Sequence, residues 1–253
     1  MTDQEFQALS PMWQKLVLSR IQNDGRKLWE FSQNDLARLK DSVCRVSSLT
    51  GKSPDEMRIE EVDSKLREES AALSDFRKRI PRRYRDADLS KDFHSPFVMN
   101  LFRGQSGVVI GGNGIGKTRL AWALASAWKN QQPFSEAAII VKGAELLSEV
   151  KAIDGDWYRY IRENYGKNSH LFIDEIDKIK GSEADWMLLT YLIDYRYEWM
   201  RQTVVMGNCT KDEAIKLLGQ SSYSRLAGDG AEAYHLSGTD RRKTGAAGGA
   251  QSE

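Results

Sequence analysis

Gly107-Val108-Val109-Ile110-Gly111-Gly112-Asn113-Gly114-Ile115-Gly116-Lys117-Thr118 decides the fold of this 253-residue chain. Four apolar strand residues run directly into a glycine-rich turn. A helical stretch follows from Thr118 to Trp128, with Leu120, Ala121, Leu124 and Ala127 facing inward. Gly111, Gly116, Lys117 and Thr118 satisfy the spacing G-x-x-x-x-G-K-[ST] in the strand-to-helix setting that gives the pattern its meaning. The glycines let the backbone bend and turn its amides toward phosphate, and the helix start adds its dipole. Residues 111–118, with Gly112, Asn113, Gly114 and Ile115 completing the loop, are therefore expected to hold a nucleoside triphosphate. Lys117 should reach the β- and γ-phosphates, and the Thr118 hydroxyl should ligate magnesium.

Downstream, Leu171-Phe172-Ile173-Asp174-Glu175 is an apolar strand ending in two carboxylates. It places Asp174 beside the metal and gives Glu175 the position of a base that polarises the attacking water. A kinase would gain little from that glutamate, whereas a hydrolase needs it. Ala138–Val141, Thr203–Met206 and Ala233–Leu236 supply three more strands. Continuous apolar strands alternating with helices predict a mainly parallel sheet covered on both faces. Asn208 ends the fourth strand, where its side chain could lie between the loops of the first two strands and orient water; it could equally be a turn former. Arg225, in Ser224-Arg225-Leu226, follows a short helix with Ile215, Leu217 and Leu218. In a ring or spiral it could enter a neighbour's site and offset charge on the γ-phosphate.

Upstream, residues 1–79 read as helical. Phe6, Leu9, Trp13, Leu16 and Val17 recur as one stripe, and a second stretch holds Leu28, Trp29, Leu36 and Leu39. Ser53-Pro54-Asp55-Glu56 looks like a helix start, running on through Ile59, Val62, Leu66, Leu73 and Phe76. This is either a bundle or a docking module for a partner protein. A connector over 80–105 comes next, and a basic run from Arg77 to Arg85, with six positive side chains in nine residues, spans its start. That run reads as solvated surface or as a contact for phosphates. Thr244 to Glu253 cannot form a core and reads as a disordered tail.

Composition excludes several classes. Hydrophobic residues are 40% and charged residues 29%, with a net charge of +1, so no global field argues for nucleic acid. Cys44 and Cys209 are far apart and His94, His170 and His235 are scattered, which fits reduced thiols better than a zinc site. No apolar run is long enough to span a bilayer, and the acidic, polar start is unlike a signal peptide, so a cytoplasmic protein with no membrane partner is expected.

The ordered set GGNGIGKT (111–118), LFIDEID (171–177), VVMGNCT (204–210) and LLGQSSYSRL (217–226) resembles the AAA+ ATPases of the replicative helicase loader type, the DnaC/DnaI group, with IstB-like transposition ATPases as relatives. Ile80-Pro81-Arg82-Arg83-Tyr84-Arg85-Asp86-Ala87 and Leu192-Ile193-Asp194-Tyr195-Arg196-Tyr197 share in the resemblance, which covers about 80–243. It implies an α/β, AAA+ P-loop NTPase fold with a five-stranded sheet sandwiched by helices and preceded by a small helical domain. The 28 residues after Arg225 are too few for a full lid domain. The implied division is a partner-binding domain at 1–79, a connector at 80–105, an ATPase domain at 106–243 and a tail at 244–253.

By the same resemblance the ligand is ATP with Mg2+. Lys117 and Thr118 are Walker A residues, Asp174 and Glu175 the Walker B pair, Asn208 sensor 1 and Arg225 a trans-acting arginine finger. Arg241 stands about where sensor 2 belongs, with Arg242 competing for the role. The implied activity is slow or partner-stimulated ATP hydrolysis while a hexameric replicative helicase is loaded onto single-stranded DNA, with self-assembly into a spiral or ring. Trp157, Tyr158, Arg159, Tyr160 and Arg162 could stack on bases and contact phosphates, or the aromatics could be helix core. A transposase helper ATPase and a regulatory ATP-binding assembly factor with little turnover are the alternatives.

Overall fold

The computed structural model describes residues 1–52, 59–133, 135–228 and 233–237. Ser53–Glu56, Arg241, Arg242 and the 244–253 tail lie outside the described residues. The chain divides into two compact units, Met1–Asp75 and Phe76–Glu253.

The first unit is helical. α1 (Asp3–Gln7) is capped by Thr2, and α2 (Pro11–Asp24) starts afresh with Pro11 in its first turn and ends on the left-handed Gly25. The stripe from Phe6 to Val17 is thus two helices rather than one, because proline at position 11 has no N–H to continue the first. Leu28–Glu30 forms only a 3-10 turn, and Trp29 is exposed. α3 (Gln33–Thr50) begins at a reciprocal Ser32–Asp35 cap, and α4 spans Ile59–Arg79. Phe6, Leu16, Val17, Phe31, Val43, Val46 and Val62 make the core. Each such side chain contributes about 1.5–3 kcal/mol through burial.

The second unit is built on a sheet. α4 stops two residues short of Pro81, as the restriction on the residue before proline requires. α5 (Leu89–Asp92) and α6 (Pro96–Phe102) follow, so much of the expected connector is helix, with Phe93, Val98 and Leu101 buried. Then come β1 (Gly107–Ile110), α7 (Lys117–Gln131), β2 (Ile139–Lys142), α8 (Gly143–Lys151), α9 (Trp157–Ile161), β3 (His170–Asp174), α10 (Glu183–Glu198), β4 (Gln202–Gly207), α11 (Lys211–Leu218), α12 (Gln220–Ala227) and β5 (Tyr234–His235). The sheet order is β2-β3-β4-β1-β5 and every pairing is parallel. β4 therefore lies between β1 and β3, so Asn208 sits between the loops of the first and third strands, not the first two.

Alternate residues of each strand feed two cores. Val108, Ile110, Leu171, Ile173 and Val205 pack under α8 and α10–α12, while Val109, Phe172, Val204 and Met206 pack under α6 and α7. At the N-terminal ends of β3 and β4, Arg196 of α10 is wholly buried. Its Nε donates to Thr203 Oγ1 at 2.8 Å, and its Nη1 donates to the carbonyls of Tyr165 at 2.6 Å and Asn168 at 2.8 Å. Nη2 donates to the Gln202 carbonyl. Burial pulls this guanidinium down to about 9, which leaves it cationic at neutral pH. No described helix is long and apolar enough to cross a membrane.

Candidate functional site

The loops that leave the C-terminal ends of β1, β3 and β4 converge on one cleft, where open parallel sheets bind ligands. It is a cavity of about 500 Å³ lined by loop residues 113–119 other than Ile115, by Asp174, Glu175, Asp177, Lys178 and Asn208, and by Arg83 and Tyr84.

The loop owes its shape to its glycines. Gly111 has φ +147°, and a Cβ there would lie 2.4 Å from both Ile115 Cδ1 and the Leu236 carbonyl oxygen. Gly114 and Gly116 also have positive φ, and Gly116 opens α7. Ile115 is buried and anchors the loop to the core, while Gly112 has open space around it. Lys117 Nζ donates to the carbonyls of Gly111 at 2.7 Å and Gly112 at 2.8 Å.

Thr118 Oγ1 donates to Asp174 Oδ2 at 2.5 Å, which puts hydroxyl and carboxylate side by side. Asp174 is almost completely buried, and its other oxygen accepts the Glu175 amide at 2.8 Å. Burial pushes the Asp174 carboxyl above its ordinary value, against the Thr118 and Glu175 donors that favour its charged form. A hydroxyl and a carboxylate in contact beside a phosphate loop are the hard oxygen donors that suit Mg2+.

Glu175 sits at φ +57°, one of two described non-glycine residues with positive φ. That turn projects its side chain into the cleft, where Oε1 pairs with Lys178 Nζ at 2.7 Å. Asn208 follows β4, and its amide donates to Asp177 Oδ1 at 2.7 Å, tying the turn after β3 to the end of β4. Lys117, Thr118, Asp174, Glu175 and Asn208 therefore share one cleft. Arg225 does not line it. That side chain lies on α12, paired with Asp194 and 5.8 Å from the Tyr197 ring centroid. Arg241 lies outside the described residues.

Arg83 and Tyr84 were legible only as part of the basic run. They reach the cleft because Arg119, in the first turn of α7, clamps the segment after them. Its Nε donates to Asp92 at 2.8 Å and its Nη1 to Asp86 at 2.9 Å. Asp177 and Lys178 carried no separate signal in the sequence. Of the aromatic-basic cluster, Trp157 and Tyr158 are exposed, Tyr160 packs against the core, and Arg159 pairs with Glu163 at 3.0 Å.

Residues 108–218 match the model of the ATPase family associated with various cellular activities, AAA. Among solved structures, the DnaC helicase loader is similar with a TM-score of 0.50 at 18% identity, over 62% of this chain and 100% of that one. A DNA replication initiation factor gives 0.51 at 14% identity, over 63% of this chain and 52% of the other. The replication initiator DnaA, bound to AMPPCP and single-stranded DNA, gives 0.50 at 13% identity, over 64% and 52%. At these identities the likeness is one of fold. No curated protein sequence matches. What the resemblance to helicase-loader ATPases implied about the fold, an α/β architecture with a parallel sheet between helices, is therefore present, and the AAA match lies within it at 108–218.

Proposed function

We propose that this chain, whose residues 108–218 carry an AAA-type ATPase domain, is an ATP-dependent loader of a replicative helicase in the cytoplasm. The observation that carries the reading is the convergence of Lys117, Thr118, Asp174, Glu175 and Asn208 on one cleft. ATP enters with its phosphates against the amides of 111–118, and Lys117 exchanges its loop carbonyls for β- and γ-phosphate oxygens. Thr118 and Asp174 would hold Mg2+, which supplies neutralisation of phosphate charge. Glu175 leaves Lys178 and accepts a proton from the attacking water, while Asn208 orients that water. Arg225 acts on the γ-phosphate of an adjacent subunit in a spiral or ring. Each interface therefore needs two chains, which makes turnover slow until a partner assembles them.

The helical unit Met1–Asp75 fits a grip on the helicase, and the exposed Trp157 and Tyr158 fit contact with single-stranded DNA. Fold likeness to a helicase loader and to replication initiators supports this choice. The test is a pull-down of the full-length chain with its cognate replicative helicase, with ATP and single-stranded DNA, alongside an ATPase assay. Retention of the helicase with hydrolysis lost in Glu175→Gln is the expected result. No retention of the helicase by the full-length chain refutes the loader reading.

A further inference from the structure

We infer that Asp194 is the positioning residue for Arg225, holding its guanidinium ready for the site of an adjacent subunit. This deepens the proposed function and rests on its reading of Arg225 as the trans-acting group. An unrestrained arginine explores many rotamers, and a side chain that must meet a phosphate in another chain pays that entropy at the moment of reaction. Here the freedom is already curtailed. Arg225 Nη1 donates to Asp194 Oδ1, and the guanidinium carbon lies 5.8 Å from the Tyr197 ring centroid.

Both restraining groups come from α10, whose Leu192 and Ile193 are fixed in the core, and Arg225 rides on α12, whose Tyr223 and Leu226 are buried beside them. The pair therefore joins two rigid elements rather than a loop. About a third of each side chain is exposed. Among the described residues Asp194 takes a single guanidinium nitrogen, so the remaining N–H donors can serve a phosphate while the first stays held. Exposed ion pairs contribute little to stability, so the value of this one lies in geometry.

Mixed assemblies test the inference. Glu175→Gln chains keep Arg225 but lack the base, and Arg225→Ala chains keep the base but lack the finger. Mixed with single-stranded DNA and the helicase, they regain ATPase activity where Arg225 of one meets Glu175 of the other. Asp194→Ala placed on the Glu175→Gln chain should lower kcat of the mixture about five- to twentyfold, with KM for ATP within about twofold. Asp194→Glu at the same place should recover most of the loss. Placed on the Arg225→Ala chain, where there is no guanidinium to hold, Asp194→Ala should add no further loss. Equal loss from both placements makes Asp194 a packing residue and overturns the inference. Unchanged or faster turnover from the finger-bearing placement overturns it as well. Parents that never complement each other remove the trans-acting role of Arg225 itself, an outcome separate from the other two.

Discussion

The two ends of the parallel sheet hold equally polar residues and use them in opposite ways. At the N-terminal ends of β3 and β4, Arg196 is buried and meets Thr203 and the carbonyls of Tyr165, Asn168 and Gln202. Gln202 donates to the carbonyls of Leu101 at 2.7 Å and Gln105 at 2.6 Å, and its oxygen faces His170 at 2.7 Å. At the C-terminal ends, Lys117 and Glu175 are held by groups that a ligand can replace, the first by loop carbonyls and the second by a half-exposed Lys178. A polar group whose partners are fixed and dry stabilises the fold. One whose partners are exchangeable and face a cleft is available for chemistry. The difference lies in the partners, not in the residue types.

The comparison makes its largest prediction at Arg196. Arg196→Met should leave buried carbonyls without donors and cost about 3–5 kcal/mol of stability. ATP turnover per folded molecule should persist. Urea unfolding together with an activity assay checks both halves. A variant of normal stability would mean that the N-terminal end is not the structural one. Glu175→Gln should do the reverse. Hydrolysis should fall about 100-fold or more, equivalent to about 2.7 kcal/mol of transition-state stabilisation, with the melting temperature and ATP binding retained. Unchanged turnover would remove the base role.

The cleft end was largely legible because the signals that mark its residues are local. The loop glycines are required by backbone conformation at their own positions, and Asp174 and Glu175 stand out where an apolar strand stops. The structural end was nearly opaque. Arg196 bonds mostly to main-chain carbonyls, which carry no residue identity, so nothing in Tyr195-Arg196-Tyr197 distinguishes a buried arginine from a surface one. Arg83 and Tyr84 fall between these cases. Their charge and ring were visible, but the Arg119 clamp on Asp86 and Asp92 that delivers them to the cleft joins segments far apart in the chain. The break at Pro11 was written in the sequence and outweighed by an apolar stripe that continues across it.

Gly111 is where the two regimes touch, since it belongs to the phosphate loop yet abuts the Leu236 carbonyl beyond β5. Ile115 Cδ1 can turn aside from an added methyl group, but the Leu236 backbone is fixed by its amide, which donates to the Ile110 carbonyl at 2.9 Å. Gly111→Ala should therefore cost about 1–3 kcal/mol of stability and weaken ATP binding about tenfold. Calorimetric unfolding and nucleotide titration on the same sample measure the two together. Loss of affinity at full stability would assign Gly111 wholly to the cleft end.

The smallest effect is expected at His170, and it tests the structural end by pH alone. The ring stacks on Trp128 with centroids 3.8 Å apart. Because the Gln202 amide nitrogen is committed to Leu101 and Gln105, its oxygen faces His170, so Nδ1 carries the proton and Nε2 is the site that titrates. Burial holds the folded imidazole below its ordinary value, outweighing the Gln202 bond, which favours the charged form. Between the folded value and the unfolded one near 6.5, the unfolded chain binds more protons, so stability rises with pH across that window. The contribution is therefore present in full above about 6.5 and is lost progressively as pH falls from there to the lower folded value. The melting temperature should decline on acidification from neutral pH, and His170→Asn should flatten that slope without changing turnover at pH 7.5. An unchanged slope in the variant would place the titrating group elsewhere and leave Trp128 and Gln202 to hold that end of β3 without help from the imidazole.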